Sequence, residues 1–152
     1  MVPYVVAIDH PSLHRLVEPF VETLRAESRR FDRGSASNPK PFPSVVRKVT
    51  DPRSLRFGVM QDGRLLGMGA LSSHGEVTMA MAEPHRGKGF GTMLFAHIVE
   101  TAEKRQYGRL TMESNQRSAP ITALGERFGW SAFEAGRGRL ELILELPRRR
   151  AG

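Results

Sequence analysis

The chain has 152 residues, 39% of them hydrophobic, a net charge of +7 and no cysteine. That length and apolar share fit one domain with a real core and exclude a disordered chain. No apolar run approaches the ~18 residues of a membrane span, and without cysteine neither a disulfide scaffold nor a zinc–cysteine site can form. The basic excess is mostly arginine, since Lys40, Lys48, Lys88 and Lys104 are the only lysines. Such a field attracts polyanions, but no zinc-finger spacing, recognition helix or stacking-aromatic motif accompanies it to mark a nucleic-acid site.

In chain order, Val5, Val6 and Ile8 read as a first strand. The opening MVPYVVAIDH lacks the basic segment and cleavage site of a leader, and a cysteine-free chain fits the reducing cytoplasm. Residues 9–30 read as a helix, with Leu13, Leu16, Val17, Phe20 and Leu24 on one face. Pro19 is expected to kink or split it, because an interior proline costs ~3 kcal/mol. Residues 32–43 hold Gly34, Pro39, Pro41 and Pro43 and form a loop; 44–50 read as a short helix. Residues 55–60 and 64–71 are two strands joined at Gln61-Asp62-Gly63, a strong hairpin signal. After a turn at 72–75, EVTMAMA (76–82) reads as a buried strand. Leu94, Phe95, Ile98, Val99 and Ala102 then mark a helix over 92–105.

Residues 109–114 are the next strand. Residues 118–128 form a helix with Ser118 as cap, Pro120 in its first turn and Gly129 as its stop. Residues 131–134, a Gly136-Arg137-Gly138 turn and LELILEL (140–146) close the chain. The last strand reads as an exposed edge open to a second copy. The expected order is β-α-α-β-β-β-α-β-α-β-β, an α+β domain on a mixed sheet over 1–147. Residues 148–152, with Arg148-Arg149-Arg150, form a basic tail. Met60, Met68, Met79, Met81, Met93 and Met112 fall in apolar runs, as core or cleft walls rather than metal ligands.

Between the strand at 76–82 and the helix at 92–105 stands Arg86-Gly87-Lys88-Gly89-Phe90-Gly91. A glycine-rich turn that opens a helix leaves backbone N–H groups unpaired and aims the positive dipole end at the same place, which suits phosphate. The spacing is not that of a Walker A loop, which ends in Gly-Lys-Ser/Thr. Nor is it the dinucleotide fingerprint, which would need glycine at Thr92. What is present is Arg-x-x-Gly-x-Gly (Arg86, Gly89, Gly91) after Ala82-Glu83-Pro84-His85.

This pattern resembles the pyrophosphate-binding motif of the GNAT acyltransferase superfamily. The order of elements on either side, and Gly129-Trp130 before the last hairpin, are similar to that family over about residues 4–146. The resemblance implies an N-acyltransferase that moves an acetyl group from acetyl-CoA to a small-molecule or protein amine by direct attack, without a metal, and frequent homodimerisation. It implies a CoA site at Arg86, Gly87, Lys88, Gly89, Phe90, Gly91 and Thr92, with the N–H near Met81 polarising the thioester carbonyl. The family's pantetheine-holding Asn falls on Ser118, with Asn115 nearby, and its usual general-acid Tyr falls on Gly125. A general acid contributes about 10²–10⁴-fold, so its absence leaves protonation of the thiolate to water. It also opens a second expectation, a noncatalytic acyl-CoA-binding sensor or interaction domain.

Attack requires a neutral amine, and a lysine-like amine of pKa about 10.4 is almost wholly charged at pH 7. Glu76 is the first candidate base, Glu113 on the neighbouring strand the second and His74 the third. His85 is read as lining the phosphate loop, His10 and His14 as flanking the first helix, and His97 as helix surface. The resemblance implies an acceptor site bounded by residues 20–45 together with the last hairpin; Phe31, Asp32, Lys40 and Phe42 are its candidate lining, a mixed set without the acidic character that would favour a polyamine.

Overall fold

In the computed structural model, which describes residues 2–9, 11–32, 42–82, 89–115, 126–134 and 139–147, the hairpin predicted at Asp62-Gly63 forms as expected. Both residues take positive φ, 53° and 74°, the type I′ turn whose twist matches that of the strands it joins. It links β2 (Leu55–Gln61) to β3 (Arg64–Leu71). β1 (Tyr4–Ala7) and β4 (Val77–Met81) pair antiparallel on either side, giving the order β1-β2-β3-β4. β5 (Arg109–Asn115), β6 (Ser131–Glu134) and β7 (Arg139–Glu145) make a second antiparallel sheet, ordered β5-β7-β6.

Among the described residues three long helices cover these sheets. α1 (Pro11–Asp32) and α2 (Phe42–Thr50) lie on one face of the first sheet, where Ile8, Phe20, Leu24, Val49 and Met68 form a buried cluster. α3 (Phe90–Lys104) lies on the other face. Its predicted stripe, Leu94, Phe95, Ile98, Val99 and Ala102, is buried against Phe57, Val59, Leu71 and Val77, and against Leu110, Met112, Leu142 and Leu144 of the second sheet. One core thus spans both sheets. Phe95 anchors its far side, meeting Phe128 edge-on at 4.8 Å and Trp130 at 5.2 Å. Gly129, at φ 77°, ends the helical residues 126–128 as predicted.

Three expectations need correction or restriction. α1 runs unbroken past Pro19. The one backbone bond lost there is outweighed by the apolar face on either side of it, with Phe20, Val21 and Leu24 buried. LELILEL is not an edge: β7 pairs with β5 on one side and β6 on the other. Its leucines Leu142 and Leu144 enter the core while the glutamates face out, so this strand is not open to a second copy. The helix expected over 118–128 lies outside the described residues except at its end, as do the Gly136–Gly138 turn and the 148–152 tail. No described helix is long and apolar enough to cross a membrane.

Candidate functional site

The two sheets meet through β4 and β5, and they meet at one point. Glu76 and Thr111 form an isolated parallel bridge, with the Thr111 N–H donating to the Gly75 carbonyl at 2.9 Å. Gly75 is required there: its φ is +85°, and a Cβ would stand 2.4 Å from the Arg109 carbonyl oxygen. Beyond the bridge β4 continues in the first sheet and β5 in the second, so the parallel strands part.

The direction of the β4 amides follows from its bonds to β3. The Ala82 N–H donates to the Leu66 carbonyl at 3.1 Å, and the Ser72 N–H to the Glu76 carbonyl at 3.0 Å. Even-numbered residues therefore bond to β3. By antiparallel alternation Met79 turns its N–H and C=O the other way, toward the gap left by β5. Met81 shares that parity. Its thioether folds over Gly67, where a Cβ would lie 2.6 Å from both Sδ and Cε. Met79, Met81, Phe90 and Met93, all half-buried, pack against the core at this end.

At the same end α3 begins. Its N-cap is Gly89 at φ 84°, with no side-chain cap and no acidic residue in the first turn. A side chain there would find space but not a comfortable backbone conformation. An uncapped helix start without acidic neighbours favours an anion. Gly91 and Thr92 lie in that first turn and are half-buried. Arg86, Gly87 and Lys88 lie outside the described residues, with Glu83, Pro84 and His85, as do Ser118 and Gly125.

The candidate bases share one side of this junction. Residues bridged in parallel point the same way, so Glu76, Thr111 and Glu113 lie on the α1/α2 side while Val77, Leu110 and Met112 enter the core. The Glu76 N–H donates to Ser72 Oγ at 3.0 Å, and the Glu76 carboxylate is ion-paired with Lys48 of α2. Glu113 is exposed and stands directly opposite Glu141 of β7. His74 is exposed in the turn before β4, its N–H donating to Ser72 Oγ at 3.2 Å. Sequence reasoning missed Lys48, Met79 and Glu141. Only Glu141 left a trace, in the Leu/Glu alternation of 140–146.

Neither tyrosine reaches the gap. The Tyr107 hydroxyl donates to the Ser72 carbonyl at 3.2 Å, at the joined end, and Tyr4 is exposed on the edge strand β1. His97, expected on the helix surface, is half-buried with its ring edge-on to Phe57 at 5.2 Å. A side-chain hydrogen bond from Arg53 holds the Asp51 carboxyl below its ordinary range. That pair belongs to the turn between α2 and β2.

The acetyltransferase (GNAT) family matches residues 19–130. The uncharacterized N-acetyltransferase YsnE of Bacillus subtilis (strain 168) is 32% identical over 96 residues, spanning 59% of this chain and 64% of that protein's length. In fold the chain is similar to the paia N-acetyltransferase of Thermoplasma acidophilum solved with coenzyme A, at TM-score 0.71 and 12% identity over 96% of this chain and all of that one. It is also similar to the ribosomal-protein-S18-alanine N-acetyltransferase of Escherichia coli, at TM-score 0.63 and 17% identity over 99% and 97% of the two chains. At such identities the solved structures speak to fold alone.

Proposed function

This chain belongs to the GNAT acetyltransferase family, and we propose that it transfers an acetyl group from acetyl-CoA to a primary amine by direct attack. The observation that carries this reading is the parting of β4 and β5 beyond a single bridge, with the Met79 amide turned into the gap and the uncapped start of α3 beside it. The diphosphate of CoA fits the first turn of α3, at Gly89, Phe90, Gly91 and Thr92, together with Arg86, Gly87 and Lys88 of the preceding loop. Pantetheine then lies between the strands, and Ser118 is the residue the resemblance assigns to hold it. The Met79 and Met81 amides, both turned toward the gap, are the donors for the thioester oxygen, an oxyanion-type role. The coenzyme A in the Thermoplasma structure supports the choice of donor.

In the step itself the amine nitrogen bonds to the carbonyl carbon, the C–S bond breaks, and CoA leaves as a thiolate that takes a proton from water. The amine's proton passes to a carboxylate. Glu76 suits this better than Glu113, because it is half-buried and held at both ends, whereas Glu113 is exposed and opposite another glutamate. Glu76 and Met79 are three positions apart, about 10 Å along a strand, so the proton travels through a chain of waters rather than directly.

The test is thermal unfolding with acetyl-CoA, followed by CoA release with a panel of a lysine amide, an alanyl peptide, an amino acid, an aminoglycoside and spermidine. A ligand at 100 times its Kd adds about 2.7 kcal/mol. No shift would overturn the reading. A shift without turnover on any amine would favour the noncatalytic acyl-CoA-binding domain, the alternative that Gly125 and the remote tyrosines keep in view.

A further inference from the structure

Lys48 lies on α2, and its ammonium meets the carboxylate of Glu76 across 28 residues of sequence. We propose that Lys48 is the positioning residue of Glu76, holding that carboxylate toward the acceptor side of the strand junction. This rests on the assignment of Glu76 as the base.

Three features of the fold support it. The backbone of Glu76 is fixed by the Thr111 bridge, by its N–H to Ser72 Oγ and by its carbonyl on the Ser72 N–H. Only the side-chain torsions of Glu76 are left unset, and the ammonium of Lys48 limits them. Lys48 itself is well seated: it neighbours Val49, which is wholly buried, in an α2 packed against β3 and β4. Both partners are about two-fifths exposed, 36% and 41%, so water and an incoming amine can still reach the carboxylate. An ion pair this exposed adds little to folding. Its consequence lies in orientation, where a misplacement of about 1 Å can cost about 100-fold in rate.

The same contact links the base to the acceptor side. α2 begins at Phe42, inside the 20–45 segment that the family resemblance assigns to the acceptor, and its Lys48 meets the residue assigned to take the acceptor's proton. Movement of α2 when an acceptor docks would therefore be felt at Glu76.

The experiment measures CoA thiol release, which the absence of cysteine leaves free of background from the protein, using the panel amine that turns over fastest. Lys48→Met is expected to lower kcat about 10- to 100-fold with KM for acetyl-CoA unchanged and Tm within a few degrees. Lys48→Arg, which keeps a cation in reach, should recover most of kcat. Because Lys48 acts through Glu76, Lys48→Met in a Glu76→Gln background should cost nothing further. Wild-type kcat in Lys48→Met, or the same fold-loss in both backgrounds, would overturn the inference while leaving the base assignment standing. Wild-type kcat in Glu76→Gln would overturn the base assignment and this inference with it.

Discussion

The two ends of the β4–β5 junction are built on opposite plans. At the joined end the strands are tied by several bonds: Thr111 on Gly75, Gly75 and Tyr107 on the Ser72 carbonyl, and Glu76 on Ser72 in both directions. At the open end no ladder joins the two strands among the described residues, and α3 starts without a side-chain cap. The difference opens a gap between the two strands at one end only. Tight bonding at one end leaves the strands apart at the other, where the Met79 amide faces the gap proposed for pantetheine. If the proposed site is right, substitutions at the joined end should lower stability and those at the open end should lower CoA binding.

The largest expected effect is at the joined end. Gly75→Val would place a Cβ against the Arg109 carbonyl in a backbone conformation that a β-branched residue resists. It should cost about 3 kcal/mol or more, read from denaturant unfolding. Wild-type stability would mean that the junction is not close-packed.

At the open end, Gly89→Val should cost about 1–2 kcal/mol of apo stability, since only its φ of 84° is offended and the space around it is free. The larger loss should be in the thermal shift produced by CoA, which a bulky residue at the start of α3 would obstruct. An undiminished shift would separate this turn from the ligand. Tyr107→Phe sharpens the contrast from the other side. It removes one hydrogen bond at the joined end, worth about 1 kcal/mol, and should leave the CoA shift intact; a weakened shift would show that the two ends are not separable.

Much of this architecture was legible from local signals. Asp62-Gly63 dictates its turn, the stripe from Leu94 to Ala102 its helix, and Gly129 its helix stop, because each is a property of a few consecutive residues. What escaped was nonlocal. LELILEL has the pattern of any half-buried strand, and nothing within it says that β6 will lie on one side and β5 on the other. Pro19 signals a break that packing around Phe20 and Leu24 overrides. The outward turn of the Met79 amide depends on which β4 residues β3 has already claimed. The Lys48–Glu76 contact joins two elements that sequence patterns treat separately. The glycine pattern before α3 suggested an anion site, and the structure adds that α3 starts at Gly89 without a side-chain cap.

The most direct measurement is a crystal structure with coenzyme A. The account predicts the diphosphate at the start of α3 and pantetheine between β4 and β5, with a main-chain amide of Met79 or Met81 at hydrogen-bond distance from the thioester position. A nucleotide bound elsewhere, with β4 and β5 closed upon each other, would contradict it.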